Sequence, residues 1–192
     1  MIIVRKKTTV IGLAFLLMLA ASGKEARAQR TMRGENLISV GVHYPFSEPY
    51  WMGVDFSYGQ YLLGSYWKAG VSLTEYTFPL TEDVPMGYEH ATAYGEWLYR
   101  LAGTRNRLLN LYAGPGLYLG YEMADFWGLL PDTLTEACPK GSFIYGIRFS
   151  VEAEVFLSRR VAVTLGASLP ASITSTFGHL HCQAGAGIRL NL

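Results

Sequence analysis

Beyond its first 28 residues the chain contains no apolar run long enough for a transmembrane helix, which needs about 20 residues. Charge is scarce, at 16% of residues. There is no G-x-S-x-G or comparable nucleophile context, so nothing marks a hydrolase elbow. Glycine-rich phosphate loops are missing as well: the glycines recur at alternate positions, where they make room for neighbouring aromatic rings. No basic stripe runs along the chain, as a nucleic-acid groove would require, and no direct nucleic-acid binding is expected.

What is present begins with a targeting signal. Arg5, Lys6 and Lys7 precede an apolar run over 10–21, and Ala26-Arg27-Ala28 supplies small residues around a cleavage point. Residues 1–28 therefore read as a secretory signal peptide cut after Ala28, leaving residues 29–192 as one domain. Gln29, not a cysteine, follows the cut, which argues against a lipoprotein anchor. Arg5, Lys6, Lys7, Lys24, Arg27 and Glu25 leave with the signal. Lys+Arg falls from 16 to 11 and Asp+Glu from 15 to 14, so the remaining chain carries −3.

Residues 143–157 define the architecture. Phe143, Tyr145, Ile147, Phe149, Val151, Ala153, Val155 and Leu157 alternate with Gly146, Arg148, Ser150, Glu152 and Glu154. Successive side chains of a strand point to opposite faces, so this segment has one apolar and one charged face. A soluble strand averages about 5–6 residues, whereas a tilted strand crossing a bilayer needs about 9–11. The length suits a strand facing lipid.

The same alternation recurs around Ile38–Tyr44, Met52–Tyr58, Trp67–Leu73, Ala91–Leu101, Leu109–Tyr121, Val161–Ala167 and Leu180–Leu192. Residues 59–65, 102–107 and 158–160 read as turns. Residues 79–87, with two prolines and two acids, read as a loop, and 122–142 as the longest loop. Pro115 is an irregularity, since proline removes a ladder donor and prefers an edge or a bulge. About eight strands with short turns on one side and longer loops on the other predict an antiparallel up-and-down β-barrel of outer-membrane type. A soluble ligand-binding barrel would need a polar outer face, and this one is apolar.

A barrel of this size fills its interior with side chains. The inward set includes Lys68, Glu96, Arg100, Arg148, Glu152, Glu154 and Arg189, whose signs can pair across the lumen. Candidate chemical groups are few. His179 and His181 share a face of the last strand; Glu89 and His90 are candidate helpers, but zinc usually takes three or four ligands. Ser175, His179 and Glu152 can be drawn as a triad, as such triples can in most chains. Cys138 falls in the longest loop and Cys182 at a lipid-facing position, so they read as two unpaired thiols although an oxidising compartment permits a disulfide. No catalytic, cofactor or metal residue is assigned, and the chain is read as a non-enzyme.

Several stretches together carry a resemblance. They are Ala28-Gln29-Arg30, Gly120-Tyr121-Glu122, Phe143-Ile144-Tyr145-Gly146, Glu152 and Glu154 before Arg159-Arg160, Gly178-His179-Leu180-His181, and Gly185-Ala186-Gly187-Ile188-Arg189-Leu190-Asn191. In this order and spacing they resemble the TraO family, conjugal transfer proteins encoded by conjugative transposons of Bacteroides and relatives. The final Leu192 departs from the terminal aromatic common in outer-membrane barrels. The resemblance implies a non-catalytic outer-membrane component of a DNA-transfer apparatus that anchors or stabilises its channel. Its partners would be membrane lipid and other subunits, met through loops such as 122–142. A general envelope barrel, or a small lipid-modifying enzyme using the His pair, are the alternatives.

Overall fold

The computed structural model describes residues 33–46, 52–81, 84–104, 108–124, 141–175 and 179–192, with the side chains of 77–87 and of Ala124 left out. The signal segment, the middle of the longest loop with Cys138, and turn residues 105–107 lie outside the described residues. Eight strands appear in order: β1 (Asn36–Pro45), β2 (Gly53–Tyr61), β3 (Ser65–Thr81), β4 (Val84–Gly103), β5 (Leu109–Ala124), β6 (Ser142–Phe156), β7 (Val161–Ser172) and β8 (Gln183–Asn191). Each pairs antiparallel with the next, and β8 closes on β1, giving a closed barrel.

Alternation fixes which face is which. Val40, Val42, Val54, Phe56, Val71, Leu73, Leu117, Leu119, Ile147, Phe149 and Leu165 all stand exposed on the outside, while Ser39, Ser57, Lys68, Glu96, Glu152 and Arg189 are buried within. A polar lumen inside an apolar wall inverts the soluble arrangement and matches a barrel solvated by lipid. The β2–β3, β4–β5 and β6–β7 connections, the start of β1 and the end of β8 gather at one rim, here called the turn end. The other rim is the loop end.

Several strand limits differ from the sequence reading, β4, β5 and β7 each running a few residues further, to Gly103, Ala124 and Ser172. The stretch 79–87 is not a loop: β3 runs to Thr81 and β4 starts at Val84, and Pro79 pairs opposite Pro85. The missing donors are thus concentrated in one cross-strand pair near the tip, which lets a ribbon tolerate two prolines. Pairing of β2 with β3 stops at Val54↔Leu73, and that of β4 with β5 at Tyr88↔Ala124, so the β3–β4 ribbon projects past the wall. The turn read at 59–65 narrows to Leu62-Leu63-Gly64, with Gly64 at a φ of 77°. Finally, Leu180 makes an isolated bridge to Ala171, and regular β8 begins only at Gln183.

Pro115 stays within β5. Its pairing with β6 is intact at Pro115↔Phe149, whereas the ladder to β4 skips from Glu96↔Gly116 to Tyr99↔Ala113. At this gap the strands approach closely: a Cβ on Gly114 would lie 1.9 Å from the Trp97 carbonyl oxygen. Gly95 is the opposite case, with open space where its Cβ would be. Gly114→Ala is expected to cost about 1–3 kcal/mol as the backbone gives way. Gly95→Ala should be near neutral. Urea unfolding of both in lipid vesicles checks the pair; equal midpoints would contradict the close approach.

Candidate functional site

The barrel interior is where chemistry-bearing side chains converge. At the turn end, Leu37, Tyr61, Tyr66, Leu98 and Tyr112 form an apolar and aromatic floor. Above it Arg189, fully buried on β8, is held by groups from four other strands. Its guanidinium donates to Glu154 at 2.7 Å and Glu152 at 2.5 Å, both from β6, and to Ser39 on β1 at 3.0 Å. It also contacts the hydroxyls of Tyr61 on β2 and Tyr66 on β3, at 3.3 and 3.2 Å. Those hydroxyls themselves donate to Glu154 and Glu152. Arginine suits this position because its planar fork serves two carboxylates at once.

The charges continue upward with alternating sign. Lys68 on β3 lies 2.9 Å from Glu152 and 3.2 Å from Glu96 on β4. Glu96 in turn meets Arg148 on β6 at 2.7 Å and accepts from Ser150 at 2.6 Å. Register explains the first cross-strand contact, since Lys68 and Glu96 stand opposite each other on β3 and β4. Asp55 lies beside this column, 3.8 Å from His43 and 3.4 Å from the Tyr94 hydroxyl. The sequence carried the alternating charges, but not which of them meet across the barrel.

Toward the loop end the lining becomes aromatic and imidazole-rich. His90 lies 3.2 Å from Glu122, which also accepts from Ser142 at 2.8 Å and Ser175 at 2.7 Å. The rings of Tyr76, Tyr88, His90 and His181 pack together, with His90 and His181 perpendicular at 5.4 Å between centroids.

The sequence-derived candidates separate here. His181 is buried in this cluster, but His179 is exposed outside regular β8, its Nδ1 lying 3.1 Å from the Ser172 carbonyl oxygen. The two imidazoles therefore do not share a strand face. His90 joins His181, while Glu89 faces Glu75 in register on the opposite side of the sheet. Ser175 is bonded to Glu122, and Glu152 is committed to Arg189 and Lys68, so the drawn triad is not assembled. Among the described residues no group of three or more His, Cys, Asp or Glu is placed to hold a metal. Cys182 is exposed, as its parity requires. Arg100 keeps inward parity but emerges at the turn-end rim, next to a register shift between Arg100 and Ala102, and is exposed. Leu98, beside it, is the residue that seals the floor.

The free volume shows what this arrangement can do. Lumenal cavities measure about 70 Å³ around His43, Asp55, Lys68 and Arg148, and about 20 Å³ beside Tyr76, His90 and His181. Such spaces hold a few waters, not a substrate or a continuous channel. A larger depression of about 900 Å³, bounded chiefly by Trp67, Trp97, Leu117, Ile147 and Phe149, opens on the outer wall. The lumen is thus a cross-braced polar plug.

Solved structures place the fold. Neisserial surface protein A is similar at a TM-score of 0.53 and 14% identity, over 83% of this chain and 97% of that one. The Ail protein of Yersinia pestis, solved with the heparin analogue sucrose octasulfate, gives 0.52 and 13%, over 84% and 100%. The N-terminal β-barrel domain of Pseudomonas aeruginosa OprF gives 0.51 and 13%, over 83% and 98%. At these identities the likeness is one of fold: the eight-stranded outer-membrane barrel. No curated protein matches the sequence. The family model described as conjugative transposon protein TraO matches residues 35–192, the whole of the barrel, and the chain belongs to that family.

Proposed function

We propose that this protein is a non-catalytic outer-membrane component of a conjugative transposon's DNA-transfer apparatus, where it anchors or stabilises the channel. The observation that carries this reading is the braced lumen within a family tied to conjugation. A barrel whose axis is filled by Glu154, Arg189, Glu152, Lys68, Glu96 and Arg148 in alternating contact offers no route for a DNA strand. It does offer a rigid cylinder with an apolar wall for lipid and two rims for partners. Motor and nuclease chemistry then belong to other subunits. The N-terminal segment that reads as a signal peptide fits export to this location.

The test is transfer frequency from a donor lacking the gene, with and without a plasmid-borne copy. Transfer should fall sharply and return on complementation. Normal transfer from the deletion strain, accompanied by altered envelope integrity, would replace the reading with that of a general envelope barrel.

A further inference from the structure

The small net charge of the full sequence, +1, hides a separation of charge along the barrel axis. Arg33, Arg100, Arg159 and Arg160 are all exposed, and all four belong to the turn end. The sequence places Arg105 and Arg107 between β4 and β5, and has no lysine at this end. Its one acid outside the buried lumen is Glu35. No ion pair joins any of the four described arginines to a described carboxylate, whereas the three cations of the lumen are all paired. At the opposite end the ribbon residues 74–90 hold Glu75, Glu82, Asp83 and Glu89 with no lysine or arginine.

Two of the arginines frame a pocket. A cavity of about 240 Å³ is lined by Arg33, Tyr61, Leu62, Leu63, Gly64, Ser65, Arg100 and Tyr112. It is built where two backbone bonds tie the residues before β1 and β4 to the β2–β3 turn, Gly34 N–H to the Tyr61 carbonyl and Arg100 N–H to the Gly64 carbonyl, at 2.8 and 2.9 Å. The bulge after Arg100 re-aims the strand at this point, as bulges do at barrel rims. Leu63, 86% exposed, adds an apolar side to an otherwise cationic site.

We infer that the turn end is a docking surface for an acidic segment of a partner protein, with a carboxylate of that segment seated between Arg33 and Arg100. Charge complementarity selects an anion, and guanidinium groups favour the planar carboxylate. The pocket's Tyr61 and Tyr112 walls belong to the lumenal side of the sheet, so it opens along the barrel axis and not onto the circumference where lipid headgroups lie. Single-stranded nucleic acid is disfavoured because it is held by exposed rings on which bases stack. Here Tyr61 and Tyr112 are 2% and 3% exposed. The inference stands independently of the conjugation reading.

The test uses the full chain in phosphatidylcholine nanodiscs and fluorescent octaglutamate as probe, read by anisotropy at low and physiological salt. Octaglutamate should bind in preference to octaglutamine, and the double variant Arg33→Glu/Arg100→Glu should weaken it about tenfold or more. Arg33→Gln/Arg100→Gln should give an intermediate loss, which keeps the test informative if charge reversal disturbs folding. Glu75→Gln, at the far rim, should change nothing. Three results would overturn the proposal: no preference over octaglutamine, an eight-nucleotide thymidine strand bound more tightly through the same arginines, or displacement of the peptide when phosphatidylglycerol replaces phosphatidylcholine.

Discussion

Arg189→Leu should lower unfolding stability by about 3–5 kcal/mol, the usual cost of removing one partner from a buried ion pair. Arg189 is 0% exposed, and so is Glu154; Glu152 is 7% exposed. Without the guanidinium, two carboxylates remain 37 and 35 positions earlier in the chain but adjacent in space, with Lys68 reaching only Glu152. Leucine fills part of the volume and satisfies neither. Urea unfolding in lipid vesicles, followed by tryptophan fluorescence, measures the loss. The triple variant Arg189→Leu/Glu152→Gln/Glu154→Gln removes the unpaired charge and should recover most of the stability. If the triple variant is no better than the single, packing and not charge compensation accounts for the stability of the column.

Ile147→Arg should cost about 2–4 kcal/mol, the penalty for an arginine on the lipid face near the bilayer midplane. Ile147 is 60% exposed and lies midway along β6, flanked in register by Leu117 on β5 and Ala171 on β7. In a water-soluble barrel the same substitution would be harmless or beneficial, so the sign tests the environment directly. Leu63→Arg, at the turn end where the wall meets water, should cost about 0–1 kcal/mol because the penalty falls with depth. A depth-independent pair of values would count against a lipid-facing wall.

Much of the wall was legible because a two-residue period needs only local information. The segment 143–157 gives the correct inward and outward sets residue by residue, and the turn at 158–160 follows from its end. Two kinds of feature were not legible. The first is where alternation stops. His179 keeps the right parity relative to His181, but regular β8 begins only at Gln183, so parity said nothing about its direction. Proline and acidic residues at 79–87 similarly signal a loop in general. A cross-strand Pro79↔Pro85 pair cancels the signal, and it is visible only once register is known. The second is contact around the barrel. That Arg189 meets Glu152 and Glu154, or that Arg148 meets Glu96, depends on the closure and tilt of all eight strands. Segregation of arginine to one rim likewise emerges only when successive turns are stacked on the same side.

The placement of Arg189 has a consequence for biogenesis. Synthesis reaches it on β8, after both glutamates and the seven other strands. An open sheet lacking β8 exposes Glu152 and Glu154 without their main counter-ion and leaves β1 without its second neighbour. Such a sheet is a poor solute for hydrocarbon on two counts, ionic and hydrogen-bonding. Zipping β8 onto β1 removes both defects in one event, because Arg189 reaches Ser39 across that same seam. A copy truncated before Arg189 is therefore expected to stay outside the bilayer, open to proteolysis, while the closed cylinder inserts; protease digestion of both in the presence of lipid vesicles checks it.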